Sequence, residues 1–211
     1  MDVYDTSPYW EVLTQYSDKE YTVEDAVKLW RKIISTSETT VDICTTGYLM
    51  NLTEFCKSQP DEISDKSGLE LLNTKVGDVY ITGGAWESGL DNNFFFYEEA
   101  KQSLAWLLEN VDKELIFVSS DVGGPVQCGK EVVQEDRSDA LSQALITWGT
   151  DTGRAAWDPM ATYISILGKD KETLNKSNLD IMNVDMTFDG NSGVNTFIIN
   201  KQGKHKRVYR L

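Results

Sequence analysis

Four stretches of this 211-residue sequence carry side chains that could do chemistry. Asp91 and Asn93 lie two positions apart. In an extended segment that spacing points both side chains the same way. A carboxylate that accepts, beside an amide that donates and accepts, suits a pair of vicinal hydroxyls. Thr82-Gly83-Gly84-Ala85-Trp86 and Gly89 come just before, and paired glycines let backbone approach a ligand closely. Asp158, ahead of Pro159, can offer a hard carboxylate to Ca2+ or Mg2+, and Trp157 can stack on a ring. Gly47-Tyr48-Leu49-Met50-Asn51-Leu52 can turn backbone carbonyls and the Asn51 amide toward a ligand. Ser119-Ser120-Asp121-Val122-Gly123-Gly124 can close over one. Each stretch also has a plainer structural reading. These are a turn between strand and helix at Gly47, a polar loop at Asp91, the end of a strand at Ser119, and a helix cap at Asp158 beside a packing Trp157.

Several other chemistries are not expected. The sequence has no Gly-x-Gly-x-x-Gly, Walker or Gly-x-Ser-x-Gly pattern. The only histidine, His205, sits in Lys204-His205-Lys206-Arg207 near the end and reads as part of a solvated charge run. A Ser-His-Asp or Cys-His site is therefore not expected. Cys44, Cys56 and Cys128 form no CxxC pair, which argues against a zinc cluster. Unpaired cysteines suit a reducing, cytoplasmic setting. The 34 acidic residues outnumber the 20 basic ones, for a net charge of -14. Such a surface repels phosphate backbones, so neither nucleic acid nor an anionic membrane is the expected partner; the acidity serves solubility. No apolar run approaches the roughly 18–20 residues of a membrane helix. The opening MDVYDTSPYW is acidic and has no apolar core, so it does not read as a signal peptide.

The elements that must position these residues alternate. Thr22 with an acid three residues on reads as a helix start, and Ala26, Leu29, Trp30 and Ile33 follow at helical spacing, predicting a helix over residues 23–35. Residues 41–47 read as a strand, 49–57 and 68–73 as short helices, and 76–82 as a strand ending at Gly83-Gly84. A helix over 98–111, a buried-type strand over 115–119, and helices over 138–148 and 157–167 follow. Strand-like runs over 182–188 and 195–200 are joined by Asp189-Gly190-Asn191 turn chemistry, with a last short strand over 207–211. The alternation predicts one α/β domain with a mostly parallel sheet flanked by helices. Ligands bind such sheets at the carboxyl ends of the strands, where Gly47, Gly83-Gly84 and Ser119 fall.

The ordered clusters resemble the inosine/uridine-preferring nucleoside hydrolase family over roughly residues 20–211. Asp25-Ala26-Val27 with Arg31-Lys32-Ile33 resembles the family's "DAV-x-x-x-RKI" helix. Gly47-Tyr48-Leu49-Met50-Asn51-Leu52 is similar to "GPLTNL", and Thr82-Gly83-Gly84-Ala85 to "MGGA". Asp91-Asn92-Asn93-Phe94 with Glu99-Ala100-Lys101 resembles "E-x-N-x-x-x-DPEAAK". Arg154 with Trp157-Asp158-Pro159-Met160-Ala161 looks like a Trp-Asp-Pro variant of the commoner "HDPLA".

The resemblance implies cleavage of the N-glycosidic bond of ribonucleosides with a bound Ca2+. It implies Asp158 as a Ca2+ ligand through its carboxylate and Met50 as one through its backbone carbonyl. Asp91 and Asn93 would hold ribose hydroxyls, Asp91 standing one methylene short of the family's Glu. Trp157 takes the place of a His that helps the leaving base. The family's opening "DxDxGxDD" segment, which supplies most Ca2+ ligands and the water-activating aspartate, has no counterpart here. The expectation is thus a domain lacking the family's N-terminal strands, with no assignable catalytic residue and no turnover by this chain alone. Three readings follow: part of a Ca2+-dependent glycosidase, a non-catalytic pseudoenzyme or partner subunit, or a nucleoside- or sugar-binding module. An open sheet edge would call for a second chain or a homo-oligomer to cover it.

Overall fold

The computed structural model describes residues 12–16, 23–85 and 88–211. They fall into two compact units: the described part of Met1–Val23 with Gly124–Ala156, and Glu24–Gly123 with Trp157–Leu211. In the smaller unit, a 3-10 turn at Thr14–Tyr16 and two antiparallel two-residue strands accompany two helices. The larger unit carries the seven-stranded sheet.

In chain order the elements are α1 (Ala26–Thr36), β1 (Val41–Thr45), α2 (Met50–Lys57), α3 (Gly68–Lys75), β2 (Val76–Thr82), β3 (Ser88–Leu90), α4 (Asn92–Phe95), α5 (Glu98–Asn110), β4 (Ile116–Val118) and α6 (Ser120–Gly123). The smaller unit's β5 (Gln127–Cys128), α7 (Lys130–Glu135), α8 (Ala140–Thr147) and β6 (Arg154–Ala155) follow. Then come α9 (Trp157–Leu167), α10 (Lys171–Lys176), β7 (Leu179–Phe188), β8 (Val194–Ile199) and β9 (His205–Arg210). The sheet order is β1-β2-β4-β9-β7-β8-β3. The first four strands run parallel, and β7, β8 and β3 continue the sheet antiparallel. The fold is the α/β class expected, with a mostly parallel core between helices. Among the described residues, β1 forms one edge. No described helix is long and apolar enough to cross a membrane.

Strand alternation sorts the core into two faces. Val79, Ile81 and Phe117 join the cluster containing Leu52 and Phe55 of α2, Leu71 of α3 and Leu104 and Leu107 of α5. Tyr80, Ile116, Val118 and Val208 join the cluster containing Val122 of α6, Ala161 and Ile164 of α9 and Leu174 of α10. Each fully buried Leu, Ile, Val or Phe contributes about 1.5–3 kcal/mol relative to exposure. Both faces are covered, as a parallel sheet requires.

Helix α1 begins at Ala26, and Asp25 caps it by accepting from the Lys28 N–H at 2.9 Å; Thr22, the expected cap, lies outside the described residues. Arg31 is 1% exposed. It donates twice to Asp61 (2.9 and 2.8 Å), to Ser58 Oγ (2.8 Å) and to the carbonyls of Ser64 and Lys66. Helix α3 opens with a capping box of Ser67 and Glu70.

One expectation is overturned. Lys204-His205-Lys206-Arg207 is not a solvated tail: His205-Lys206-Arg207 opens β9, inside the sheet between β4 and β7, with Lys204 just before it. His205 is 4% exposed and Arg207 0%. Strand period two explains the difference: Lys204 is exposed and Lys206 half-buried, while the alternate residues face the core.

Candidate functional site

Helix α9 sets the geometry. Lys169, just past its C-terminus, bonds Asp78 of β2 at 2.8 Å and Glu114, before β4, at 3.3 Å. Those partners belong to the amino-terminal ends of the strands. The helix therefore runs antiparallel to β2, and its first turn, with Trp157 and Asp158, stands at the carboxyl ends. Asp158 lies in that turn rather than before it, where the helix dipole favours a negative charge. Its carbonyl accepts from Thr162 Oγ1 at 3.0 Å. Trp157 is 40% exposed.

At the carboxyl end of β2 the chain turns through Gly83 and Gly84, with φ of 144° and 102°. Glycine adopts such angles without strain. A Cβ on Gly84 would stand 2.6 Å from the Phe197 ring. The Gly83 N–H donates to the Val118 carbonyl (3.0 Å), and the Ser120 N–H donates to the Gly84 carbonyl (3.3 Å), tying this loop to the end of β4 and the start of α6.

Asp91 and Asn93 meet differently from the extended arrangement expected. Asp91 caps α4, its carboxylate accepting from the Asn93 N–H at 3.0 Å, and Asn93 lies inside that helix. A short acid ahead of a helical turn bonds the turn's free N–H in preference to extending. The Asn93 amide then donates to the Thr82 carbonyl at 3.0 Å, which returns the side chain to the end of β2. Burial pushes the Asp91 carboxyl above its ordinary pKa; the backbone N–H groups of Asn93 and Gly84 pull it down, and the negative charge of Asp158 pushes it up. Two of the expected site carboxylates, 67 positions apart in sequence, thus feel one another.

Met50 opens α2 beside a cavity of about 390 Å3, lined also by Thr45, Thr46, Gly47, Tyr48 and Asn51 at the end of β1. Asp91 and Asp158 do not line it. Cys44 links the two places: it lines the cavity, and its thiol meets the hydroxyls of Ser165 and Thr162 on α9 and the charge of Asp158. Burial raises the Cys44 pKa above its ordinary value, so it is held as a thiol. Ser119 and Asp121 serve the fold. Arg207 Nε donates to Ser119 Oγ at 2.7 Å and Nη2 to Asp121 at 2.6 Å, while Ser119 donates to the same carboxylate at 2.7 Å.

The sequence matches no protein-family model and no curated protein. The fold does match. Over 92% of this chain and 63% of the other, it resembles the crystal structure of the inosine-uridine preferring nucleoside hydrolase from Bacillus anthracis, with a TM-score of 0.59 and 14% identity. The fold is nucleoside hydrolase-like. The chain spans 63% of the length of that solved structure, and at such identity the likeness is one of architecture.

Within this nucleoside hydrolase-like fold, Thr82, part of the Thr82–Trp86 stretch, and Asn195, which belonged to none of the four stretches, have surroundings that the sequence did not show. Thr82 is 4% exposed, and its buried hydroxyl has no hydrogen-bond partner among the described residues, an unusual state for a buried polar atom. Asn195, on β8, is fully buried and accepts from the Ala85 N–H (3.0 Å) while donating to the Ala85 carbonyl (3.2 Å). A polar residue amid apolar strand residues was the only available hint of it.

Proposed function

We propose that this chain binds a ribonucleoside or a related glycoside at the carboxyl ends of β1 and β2, and that it serves N-glycosidic bond hydrolysis when further carboxylates complete a Ca2+ site. The observation that carries this reading is the convergence of Asp91, Asn93 and Asp158 on those strand ends in a nucleoside hydrolase-like fold. In this reading Asp91 accepts from a sugar hydroxyl. Asn93, whose amide N–H is held by Thr82, can accept another through Oδ1. Trp157 offers an indole face to the base.

The described residues do not by themselves fit the metal. Ca2+ takes roughly six to eight oxygen ligands. Asp158 and Asp91 offer carboxylates, but no group of three or more His, Cys, Asp or Glu among the described residues could hold a metal ion. Met50 is the first residue of α2, where its carbonyl enters the helix's own hydrogen bonding. In this reading the described residues bind and orient the sugar, and water activation falls to groups beyond them. That donor count favours a second reading, binding without turnover. A second chain, or a second copy of this one, covering the outer edge of β1 would bring new ligands to the same strand ends.

The test is calorimetric titration with inosine, uridine and ribose, with and without CaCl2, alongside release of reducing sugar. Nucleoside binding that Asp158→Ala weakens at least about tenfold, or ~1.4 kcal/mol, supports the proposal. Sugar release by the chain alone would overturn the claim that it lacks turnover, and no binding of any probe would overturn the whole reading.

A further inference from the structure

The Gly83-Gly84-Ala85 loop is the least self-supporting part of the site. Two glycines at positive φ contribute no side-chain packing of their own, and glycine is the backbone with the most freedom to lose. Yet the loop lies against the Asp91 carboxylate: a Cβ on Gly83 would stand 3.1 Å from its Oδ1, and the Gly84 N–H lowers its pKa. Something outside the loop must hold it still.

On one side the anchor is the end of β4 and the start of α6, through Val118 and Ser120. On the other it is Asn195, whose amide pairs with both backbone groups of Ala85, 110 residues away in sequence. This two-point pairing fixes the rotation of the peptide as well as its position. Asn195 sits in β8 between Phe188 of β7 and Gly89 of β3, 0% exposed. An amide there costs desolvation that an apolar side chain of the same size does not. Packing alone does not call for it.

We propose that Asn195 is a positioning residue for the sugar-binding carboxylate: it clamps Ala85 so that Gly84 presents its N–H to Asp91. The role rests on the sugar-binding reading of Asp91 for its purpose, though not for its geometry. Asn195 touches no ligand itself. It acts through the loop.

The test compares Asn195→Leu, which keeps the side-chain size and removes both bonds, with Asn195→Asp, which keeps an acceptor for the Ala85 N–H and removes the donor to its carbonyl. Amide hydrogen exchange at Gly84 and the carboxyl 13C titration of Asp91 are read by NMR, with inosine affinity measured in parallel. The clamp predicts that Gly84 exchange accelerates at least about tenfold relative to core amides of β2 and that the Asp91 titration moves upward. Asn195→Asp should fall between wild type and Asn195→Leu. If inosine binds, its affinity should drop by about tenfold. Unchanged Gly84 exchange and an unmoved Asp91 titration in a folded variant would overturn the clamp. If Asn195→Leu does not fold, the same two readings on Asn195→Asp decide it. Failure of the wild type to bind inosine would count against the sugar-binding reading alone, because the exchange and titration still report on the clamp.

Discussion

His205 is the only histidine in the chain, and its burial makes a quantitative prediction about acid stability. The imidazole lies 4% exposed. Its Nδ1 accepts from the Leu115 N–H at 3.2 Å, and its ring meets Phe117 edge-on at 5.9 Å. Burial, reinforced by the charge of Lys204 and opposed by Asp185 and Glu114, lowers its pKa from 6.5 to about 4. The folded state thus keeps it neutral where the unfolded chain takes up a proton. Stability is full above pH 6.5, falls as pH drops from there toward about 4, and levels off below. One differential proton is worth ~1.4 kcal/mol per pH unit, so pH 5 should cost about 2 kcal/mol and the full window about 3. Denaturant unfolding at pH 7.5 and 5.0 measures the loss. His205→Gln keeps an acceptor for Leu115 but cannot titrate, so it should lose about 2 kcal/mol less than wild type over that interval. Carboxyls held below their ordinary value, such as Asp61 and Asp180, lose their contribution only at lower pH. The imidazole Cε1–H gives one resonance needing no assignment. A midpoint between pH 6 and 7, or equal pH losses in the two proteins, would refute the reasoning.

Three further outcomes follow from the same structure. Asp91→Asn should stabilise the protein at pH 7, because Asn still caps α4 and removes a carboxylate that burial disfavours. The gain should shrink as pH falls through the raised folded-state pKa, which melts at pH 7 and pH 4 will show. Gly84→Ala should cost about 2 kcal/mol or more, since φ is 102° and the new Cβ meets Phe197 at 2.6 Å; urea unfolding measures it, and a neutral result would contradict the loop geometry. Asp121→Ala leaves Arg207, at 0% exposure, without that carboxylate. It should cost about 2 kcal/mol, below the ~3–5 of a fully buried pair because the Asp121 carboxylate is 36% exposed.

Local periodicity made much of the fold legible. The strand over 76–82 and the helix over 157–167 fall as the apolar spacing predicts, because both faces of the sheet are covered and their residue types repeat accordingly. The charged start of β9 departs from its local pattern for a physical reason. Arg207 is buried only because Ser119 and Asp121, 88 and 86 positions away, neutralise and bond it, and no window of local sequence contains those partners. The same holds at the site. The Asp91 cap is local, yet the spacing pointed to an extended segment or a polar loop, because a helix of four residues leaves no period to read. The approach of Asp158 to Asp91 follows from α9 running antiparallel to β2, a matter of topology that the rule of carboxyl-end binding anticipated only in outline. Asn195 shows itself only through what surrounds it, as does the burial of the Thr82 hydroxyl.

The central proposal is that a ribonucleoside binds at the carboxyl ends of β1 and β2, between Asp91, Asn93 and Asp158. The most direct measurement is a residue-resolved NMR titration of the labelled protein with inosine, with and without CaCl2. The account predicts saturable shifts concentrated at Gly83, Gly84, Asn93, Trp157 and Asp158, weakened by Asp91→Ala and Asp158→Ala. Shifts confined to other surfaces, or none at millimolar inosine under either condition, would contradict it.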